Sequence, residues 1–172
     1  MNIYNINCKI VETEINVSDD LKNLVNTFKL EDNFTSFKEK NDANKLSDFI
    51  GTHYQKRLLD IVKCFTNIKK LATVKISHSW VQKYNNKRHN CHIHGTDNDK
   101  LSFVWYIDAS PKSSPIIFYN PGYPYINYWT KEIMPLKNKF LMFNSYIPHE
   151  VAINRDNARI VVSGNIDLLW QK

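Results

Sequence analysis

Two histidines separated by one residue, His92 and His94, are the side chains whose type and spacing most directly suggest chemistry. If residues 90–95 form an extended segment, side chains two positions apart point to the same face, so the two imidazoles converge. A third histidine, His149, lies in an apolar run over residues 140–153 that also has the character of a strand. Neutral imidazole nitrogens bind iron, zinc, copper and nickel. The three histidines therefore predict a metal site with open coordination positions, at which a dissociable ligand can bind.

Arg159 follows His149 by ten residues and lies on the last predicted strand. A turn over residues 154–157 is expected to pair that strand with the one that carries His149, so that both side chains reach one cavity. A buried arginine needs an anion, and its planar fork suits a carboxylate in bidentate geometry. The alternative is an arginine at the rim of the fold, paired with Glu150 or Asp156.

The composition is that of an ordinary globular domain. With 172 residues, of which 42% are hydrophobic and 23% charged, the chain is long enough to bury a core and too apolar for disorder. We expect one domain over residues 1–172, with 1–72 as a helical support and 73–172 as the β core. The formal charge of +6 is modest and the lysines are scattered, which favours a basic surface over a nucleic-acid groove.

Three cysteines, Cys8, Cys64 and Cys91, have no metal-ligand spacing and are interpreted as free thiols of a reducing compartment. Cys91 precedes His92, but strand alternation turns it away from the imidazoles, which argues against a cysteine nucleophile. Residues 1–14 lack the apolar run of a signal peptide, and no stretch approaches about 18 uninterrupted apolar residues. These features predict a cytoplasmic protein that does not cross a membrane.

Two helical regions are predicted in the N-terminal part of the chain. Ser18 suits an N-cap, because acidic residues follow it and apolar residues then recur at helical spacing. Residues 31–42 are polar and predict a connecting loop. Apolar residues recur every three or four positions across residues 44–70, which indicates one long amphipathic helix or two in series. Both regions are expected to pack against a sheet.

Short strands dominate the remainder. The first covers residues 73–84 and places one set of alternating side chains on a single face: Val74, Ile76, His78, Trp80 and Gln82. Further strands are predicted over residues 101–107, 115–119, 139–143, 148–153 and 158–166. Residues 1–17 can add a strand to an outer sheet. Many short strands after a helical lead predict a mainly β protein with N-terminal helices, whose core is a double-stranded β-helix (jelly roll, cupin-like).

The order and spacing of these residues resemble the non-haem iron(II), 2-oxoglutarate-dependent oxygenases of the double-stranded β-helix type, over roughly residues 74–166. The likeness is greatest to a small bacterial and phage subgroup, in which a Trp on the first strand precedes an HxH motif. That subgroup continues with a Ser-x-x-Tyr-Tyr-like strand, a proline-containing segment, a Phe-Pro-Ser…His-x-Val strand and a final Arg…Asn. The similar residues here are Trp80, His92-Ile93-His94, Ser102 to Tyr106, Pro121, Phe143-Asn144-Ser145, His149-Glu150-Val151, and Arg159 to Asn165.

The resemblance implies an iron(II) ion held by His92 and His149, with 2-oxoglutarate and O2 as co-substrates. Arg159 would bind the distal carboxylate of 2-oxoglutarate, and Tyr106 would assist it. The implied reaction converts 2-oxoglutarate to succinate and hydroxylates a C–H bond in a protein side chain, a peptide or a small metabolite.

One position departs from the usual HxD or HxE motif, because His94 stands where that motif has a carboxylate. Three interpretations follow: a three-histidine iron site, a carboxylate supplied by Asp97 or Asp99, or a His94 that stays outside the coordination sphere and leaves an open position. We favour the first, because His94 has the strand parity of His92.

Aromatic residues are the candidates for contact with the primary substrate. Trp80 precedes the HxH motif, and Tyr123 and Tyr125 belong to an aromatic segment that either lines the substrate mouth or forms a packed edge. A nucleic-acid substrate is disfavoured, because the Asn-x-Tyr motif typical of the nucleic-acid demethylases is absent ahead of His92.

Two other functions are compatible with these residues. A cupin-like dioxygenase that uses three histidines and no 2-oxoglutarate explains His94 directly and leaves Arg159 to bind the substrate's own carboxylate. A non-catalytic jelly-roll binding module leaves the histidines with structural roles. The aromatic residues are compatible with a monomer or a homodimer.

Overall fold

The computed structural model describes residues 8–32, 34–66, 71–97, 100–125, 129–156 and 158–170. Within these ranges the chain forms two helices and nine strands. The helices are α1 (Asp19–Asn26) and α2 (Lys40–Val62). The strands are β1 (Ile10–Glu14), β2 (Leu71–Tyr84), β3 (His89–His92), β4 (Lys100–Asp108), β5 (Ile116–Tyr119), β6 (Thr130–Ile133), β7 (Lys139–Asn144), β8 (His149–Val151) and β9 (Arg159–Trp170).

The strands form two antiparallel sheets. The larger has the order β1-β7-β4-β9-β2 and the smaller has the order β3-β8-β5-β6. One buried cluster joins the facing sides of the sheets and includes Tyr106 and Val161 from the larger sheet and Phe118 and Val151 from the smaller. A jelly roll of this kind, with helices on one side, confirms the fold class predicted from the sequence.

The helices cover the outer face of the larger sheet. A second buried cluster contains Leu21 of α1 and Ile50 of α2 together with Phe103 and Val162 of the sheet. Helix α1 begins as predicted, since the Ser18 side chain accepts a hydrogen bond from the Leu21 backbone N–H at 3.2 Å. Helix α2 is a single helix that begins four residues before the predicted start, inside the segment expected to be a loop. No helix in the described ranges has the length and apolarity needed to cross a membrane.

A bulge in β2 determines which of its side chains face the space between the sheets. The register with β9 shifts between Ile76 and His78, so the alternation changes sides within the strand. Val74 and Ile76 pack beneath the helices, whereas Trp80 and Gln82 line the inner space. The expectation of one continuous face along this strand is therefore wrong, because an inserted residue reverses the parity after Ile76.

The connection between β8 and β9 is not a hairpin. Strand β8 ends at Val151 and pairs with β3 and β5, whereas β9 pairs with β2 and β4 in the other sheet. Ile153, expected to be part of the strand, is 53% exposed. The chain crosses between sheets here because Asn154 is bonded to the end of β2, with its Nδ2 donating to the Tyr84 carbonyl at 2.9 Å.

Two further features concern the predicted boundaries. Strand β1 belongs to the segment expected to be a helical support, and it pairs with β7 along the larger sheet. The single domain over residues 1–172, and its division into a support and a β core at residue 72, stay predictions. Strand β6 was not predicted, because three of its four residues are exposed and polar and it has no apolar alternation.

Candidate metal site

Three histidines converge between the two sheets. His92 ends β3 and is the cross-strand partner of His149 on β8. His94 lies two residues beyond β3, and its backbone N–H donates to the Ser145 carbonyl at 2.9 Å. The potential ligand atoms of the three imidazoles lie within 4.8 Å of one another, and the Nε2 atoms of His94 and His149 are 3.2 Å apart. That separation suits two nitrogens that each lie about 2.1 Å from one metal ion.

Backbone carbonyls fix the orientation of two of these rings. The Nδ1 atom of His92 lies 2.7 Å from the Asn90 carbonyl oxygen, and Nδ1 of His149 lies 2.9 Å from the Ile147 carbonyl oxygen. A carbonyl only accepts, so each Nδ1 carries the proton and each Nε2 presents a lone pair. Metal-bound histidines are typically oriented in this way. The Nε2 of His92 is buried and has no hydrogen-bond partner among the described residues, as expected of an atom that awaits a ligand.

Burial keeps the imidazoles neutral. Loss of solvation lowers the pKa of His149 well below its usual value, and the neighbouring His92 and His94 lower it further. Burial, with His92 and His89 nearby, lowers the pKa of His94 to about 3. The pKa of His92 is also lowered, chiefly by burial. Since only neutral imidazole binds metal, protons compete weakly with an ion at this site near neutral pH.

Within the described ranges of the chain, no carboxylate lies beside the three histidines. Among the described residues, the group of potential metal ligands contains only His92, His94 and His149. The Asp97 side chain is exposed and pairs with Lys100, its Oδ2 lying 3.0 Å from Nζ. Asp99 lies outside the described residues. The described arrangement favours a three-histidine ligand set.

Arg159 is buried beside the histidines, at 1% exposure. One guanidinium nitrogen donates to the Ser114 carbonyl, and the guanidinium carbon lies 4.5 Å from the Tyr84 ring centroid and 5.4 Å from that of Tyr106. Neither Nε of Arg159 nor the hydroxyl of Tyr106 has a hydrogen-bond partner among the residues that the structure describes. Two donors expected to act together are therefore both unsatisfied at one place, which is an environment suited to a carboxylate.

The acidic residues considered as partners of Arg159 are occupied elsewhere. Glu150 accepts a hydrogen bond from the Tyr119 hydroxyl at 2.6 Å. The Asp156 carboxylate accepts from Ser110 and Ser113. The interpretation of a rim arginine paired with either residue is wrong, because the side chain of Arg159 turns into the core.

Two adjoining cavities meet at the histidines. The inner one is lined by His149 and Arg159 among others and measures about 10 Å³, room for one water molecule. Arg159 and His149 thus share a cavity as expected, although they reach it from opposite sheets. The outer cavity measures about 340 Å³, opens to solvent and has His92 and His94 in its wall.

The predicted substrate residues are separated by the fold. Trp80 lines the outer cavity, where its ring stacks on His94 at a centroid distance of 5.5 Å. Tyr123 instead stacks on Tyr119 at 4.2 Å, and Tyr125 is 94% exposed; neither lines a cavity with the histidines. The reason is strand alternation in β5, which buries Phe118 between the sheets and turns Tyr119 outward. The role of Tyr123 and Tyr125 in substrate contact stays a prediction.

Sequence reasoning missed several residues that line the outer cavity. Phe34 and Phe37 come from the segment interpreted as a polar loop, and His89 was not among the residues predicted for the site. Burial, together with His92 and Arg159, lowers the pKa of His89 to about 4. The presence of Phe34 and Phe37 in an otherwise polar stretch could have predicted that this loop packs against the rest of the fold. Gln82 also lines the cavity, and its place two residues after Trp80 on the same strand face could have predicted this.

No protein-family model and no curated protein sequence matches this chain. Solved structures do share its fold. An oxidoreductase of the 2OG-Fe(II) oxygenase family from Burkholderia pseudomallei is 13% identical, with a TM-score of 0.57 over 72% of this chain and 57% of that one. AviO1 from Streptomyces viridochromogenes Tue57 is 7% identical, with a TM-score of 0.53 over 67% of this chain and 58% of that one.

A third similar structure matches nearly end to end. The viral collagen prolyl hydroxylase vCPH from Paramecium Bursaria Chlorella virus-1, in its 2OG complex, is 11% identical, with a TM-score of 0.60 over 93% of this chain and 96% of that one. The chain thus spans less than two thirds of the first two proteins and almost all of the third. This chain has the double-stranded β-helix fold of the 2OG-Fe(II) oxygenases.

Proposed function

We propose that this protein is an iron(II)- and 2-oxoglutarate-dependent oxygenase that hydroxylates a C–H bond of its substrate. The observation that carries the proposal is the convergence of three imidazoles within 4.8 Å, beside the buried Arg159 whose Nε is unpartnered among the described residues. The balanced reaction takes a C–H compound, 2-oxoglutarate and O2 to the alcohol, succinate and CO2. Bound iron(II), with the two co-substrates, would supply the oxidising chemistry.

The histidines would hold the metal through their Nε2 atoms. Because His94 replaces a carboxylate, the ligand set is neutral and the ion keeps one more unit of positive charge than in an HxD site. That charge favours anionic ligands in the remaining positions. The ends of β3 and β8 are fixed to each other by pairing of His92 with His149, so the ligands are preorganised.

Arg159 would bind the distal carboxylate of 2-oxoglutarate, with the Tyr106 hydroxyl as a second donor. Both groups are buried, where a charge-assisted hydrogen bond is strong. The inner cavity of about 10 Å³ is smaller than 2-oxoglutarate, so side chains around it must move on binding. The Tyr84 ring lies over the guanidinium, 4.5 Å from its carbon, and is one of the side chains that would have to move.

A cupin-like dioxygenase that acts without 2-oxoglutarate is the second candidate, and the three-histidine ligand set favours it. In that case Arg159 would bind a carboxylate of the substrate itself. The two functions differ in whether 2-oxoglutarate is consumed.

The experiment is a measurement of succinate formed from 2-oxoglutarate under air, with iron(II) and ascorbate. We expect slow succinate formation that His149→Ala abolishes and that the matched control His53→Ala, on the exposed face of α2, leaves intact. Iron binding without any succinate would overturn the proposal in favour of the cupin-like enzyme.

A further inference from the structure

The outer cavity has a composition that indicates what part of a substrate it accepts. Its wall contains the aromatic residues Phe34, Phe37 and Trp80 together with His92 and His94. We infer that it binds an uncharged, amide-bearing group with an apolar side chain, as found in an internal residue of a peptide or in a small neutral amide. This inference rests on the proposed function, because it assigns the substrate class of the same site.

The aromatic wall is a connected set of edge-to-face contacts. Phe37 meets Trp80 at a centroid distance of 5.0 Å and an interplanar angle of 89°, and it meets His78 at 5.0 Å and 84°. Trp80 in turn stacks on His94. Phe37 is 48% exposed, so it forms the mouth of the cavity, while Trp80 at 2% exposure forms the end nearest the metal ligands. Apolar C–H groups pack favourably on such faces, which places a C–H bond close to the histidines.

Two carboxamides supply the polar contacts. The Gln82 Oε1 atom accepts from the Tyr84 hydroxyl at 3.4 Å and from the Ser163 hydroxyl at 3.3 Å, while its Nε2 has no partner among the described residues. The side chain is only 4% exposed and lines both cavities. Asn165, on the neighbouring strand, likewise accepts from Ser102 through Oδ1 and has no described partner for Nδ2. Both NH2 groups belong to residues of the cavity wall and are free to donate to a carbonyl oxygen of a ligand.

Charge is absent from the same wall. Among the described residues that line the outer cavity there is no aspartate, glutamate, lysine or arginine. A charged substrate group that packs against these aromatic faces would lose part of its water without gaining an ion partner from the wall, which disfavours its binding. The combination of aromatic faces, two amide donors and no charge therefore selects neutral amides over cationic and anionic side chains.

The test is a titration of the 172-residue chain with three capped amino acids, N-acetyl-leucinamide, N-acetyl-lysinamide and N-acetyl-aspartic acid amide, monitored by ligand-detected NMR. Iron and 2-oxoglutarate are not needed, so failure here is distinguishable from failure of the proposed function. We expect the leucine compound to bind at least about tenfold more tightly than either charged compound.

Substitutions in the wall of the outer cavity test whether its residues contact the ligand. Phe37→Ala and Gln82→Met should each weaken binding of the leucine compound about fivefold or more, because one removes packing and the other an amide donor. The matched control is Leu136→Ala, which truncates a side chain that is 55% exposed and lies outside the cavity wall. Phe37 is half-exposed, so its variant is expected to fold even if Gln82→Met does not.

The outcomes are distinct. Equal or tighter binding of a charged compound, no binding of the leucine compound, or unchanged affinity in Phe37→Ala would each overturn the inference. An acetylated Gly-Leu-Gly amide distinguishes a peptide substrate from a small neutral amide. Tighter binding of this peptide than of N-acetyl-leucinamide indicates a peptide substrate, and equal binding indicates a small amide; both results support the assignment of the cavity.

Discussion

His92 and His149 face each other directly across β3 and β8, with ring centroids 4.4 Å apart. Each ring is also held, through Nδ1, by the backbone carbonyl of the residue two positions earlier in the chain. Pairing of the strands thus sets the distance between two proposed ligands, and the carbonyls set their tautomers. Because the paired strands and the carbonyls hold both rings in place, metal binding is expected to require little rearrangement.

Metal binding should raise thermal stability. An ion that binds only the folded chain at a concentration one hundred times its dissociation constant adds about 2.7 kcal/mol to the free energy of unfolding. We expect anaerobic addition of iron(II) to raise the melting temperature of the wild type and a chelator to reverse the increase. His149→Ala should remove the effect, and His53→Ala should retain it; an equal increase in both variants would place the ion elsewhere.

Stability of the metal-free protein should fall on acidification. Burial is the largest cause that lowers the pKa of His94 to about 3 and the pKa of His89 to about 4. The pKa of a histidine in the unfolded chain is about 6.5. Between these values the unfolded chain binds more protons than the folded one, so the free energy of unfolding decreases as the pH falls from about 7 towards 4. Urea denaturation of the protein in chelator should show this decrease. His89→Leu should make it shallower, and an unchanged dependence in that variant would contradict the assignment.

Asn154 holds two of the groups that contact the Arg159 guanidinium, Ser114 and Tyr84. Its Oδ1 accepts from the Ser114 backbone N–H at 2.8 Å, and its Nδ2 donates to the Tyr84 carbonyl at 2.9 Å. Ser114 is the residue whose carbonyl accepts from Arg159, and the Tyr84 ring covers that guanidinium. Loss of this buried amide leaves backbone groups unsatisfied and should cost about 3 kcal/mol.

Asn154→Ala should therefore lower both stability and affinity for 2-oxoglutarate, measured by urea denaturation and by calorimetry. The matched control is Asn120→Ala, since Asn120 is also 1% exposed or less and bonds the Gly122 N–H, away from Arg159. The control should lose stability and keep its affinity. A similar loss of affinity in both variants would show that Asn154 has no particular role in positioning Arg159.

Gly164 is required by close packing in the middle of β9. A Cβ atom there would lie 2.5 Å from Phe103 Cε1 and 2.9 Å from the His78 carbonyl oxygen. We expect Gly164→Ala to lower the free energy of unfolding by about 1–3 kcal/mol or more. Gly51 in α2 has no atom within 4 Å of the same position, so Gly51→Ala should be neutral or stabilising by up to about 1 kcal/mol. Equal effects of the two substitutions in denaturation experiments would contradict this explanation.

Local patterns were sufficient for most elements and for the convergence of His92 and His149. Helix α1 follows from the Ser18 cap and its apolar spacing, and β4, β5, β7 and β9 from short alternating or apolar runs. The grouping of His92 with His149 follows from the strand pattern and the fold type, whereas His94 lies beyond β3 and is positioned by the hydrogen bond from its backbone N–H to the Ser145 carbonyl. These features depend on interactions between residues near each other in the sequence, or on a topology that the strand pattern already indicates.

Features decided by pairing between distant strands were not predictable. The bulge after Ile76 depends on the register of β2 with β9, and it alone decides that Trp80 faces the cavity while Val74 does not. The crossing between sheets after Val151 depends on bonds from Asn154 to the end of β2. The placement of Phe37 at the cavity mouth depends on the loop before α2 lying along β2, where the Ser36 N–H donates to the Val81 carbonyl.

Anaerobic titration with iron(II) and then 2-oxoglutarate, followed by visible absorption, is the most direct test of the proposed oxygenase. A chelated 2-oxo acid on iron(II) gives a charge-transfer band, which we expect in the wild type, with weaker affinity for 2-oxoglutarate in Arg159→Lys because lysine lacks the planar fork. His94→Ala should lose iron affinity if His94 is a ligand. Binding of iron without a band in the wild type would contradict the account.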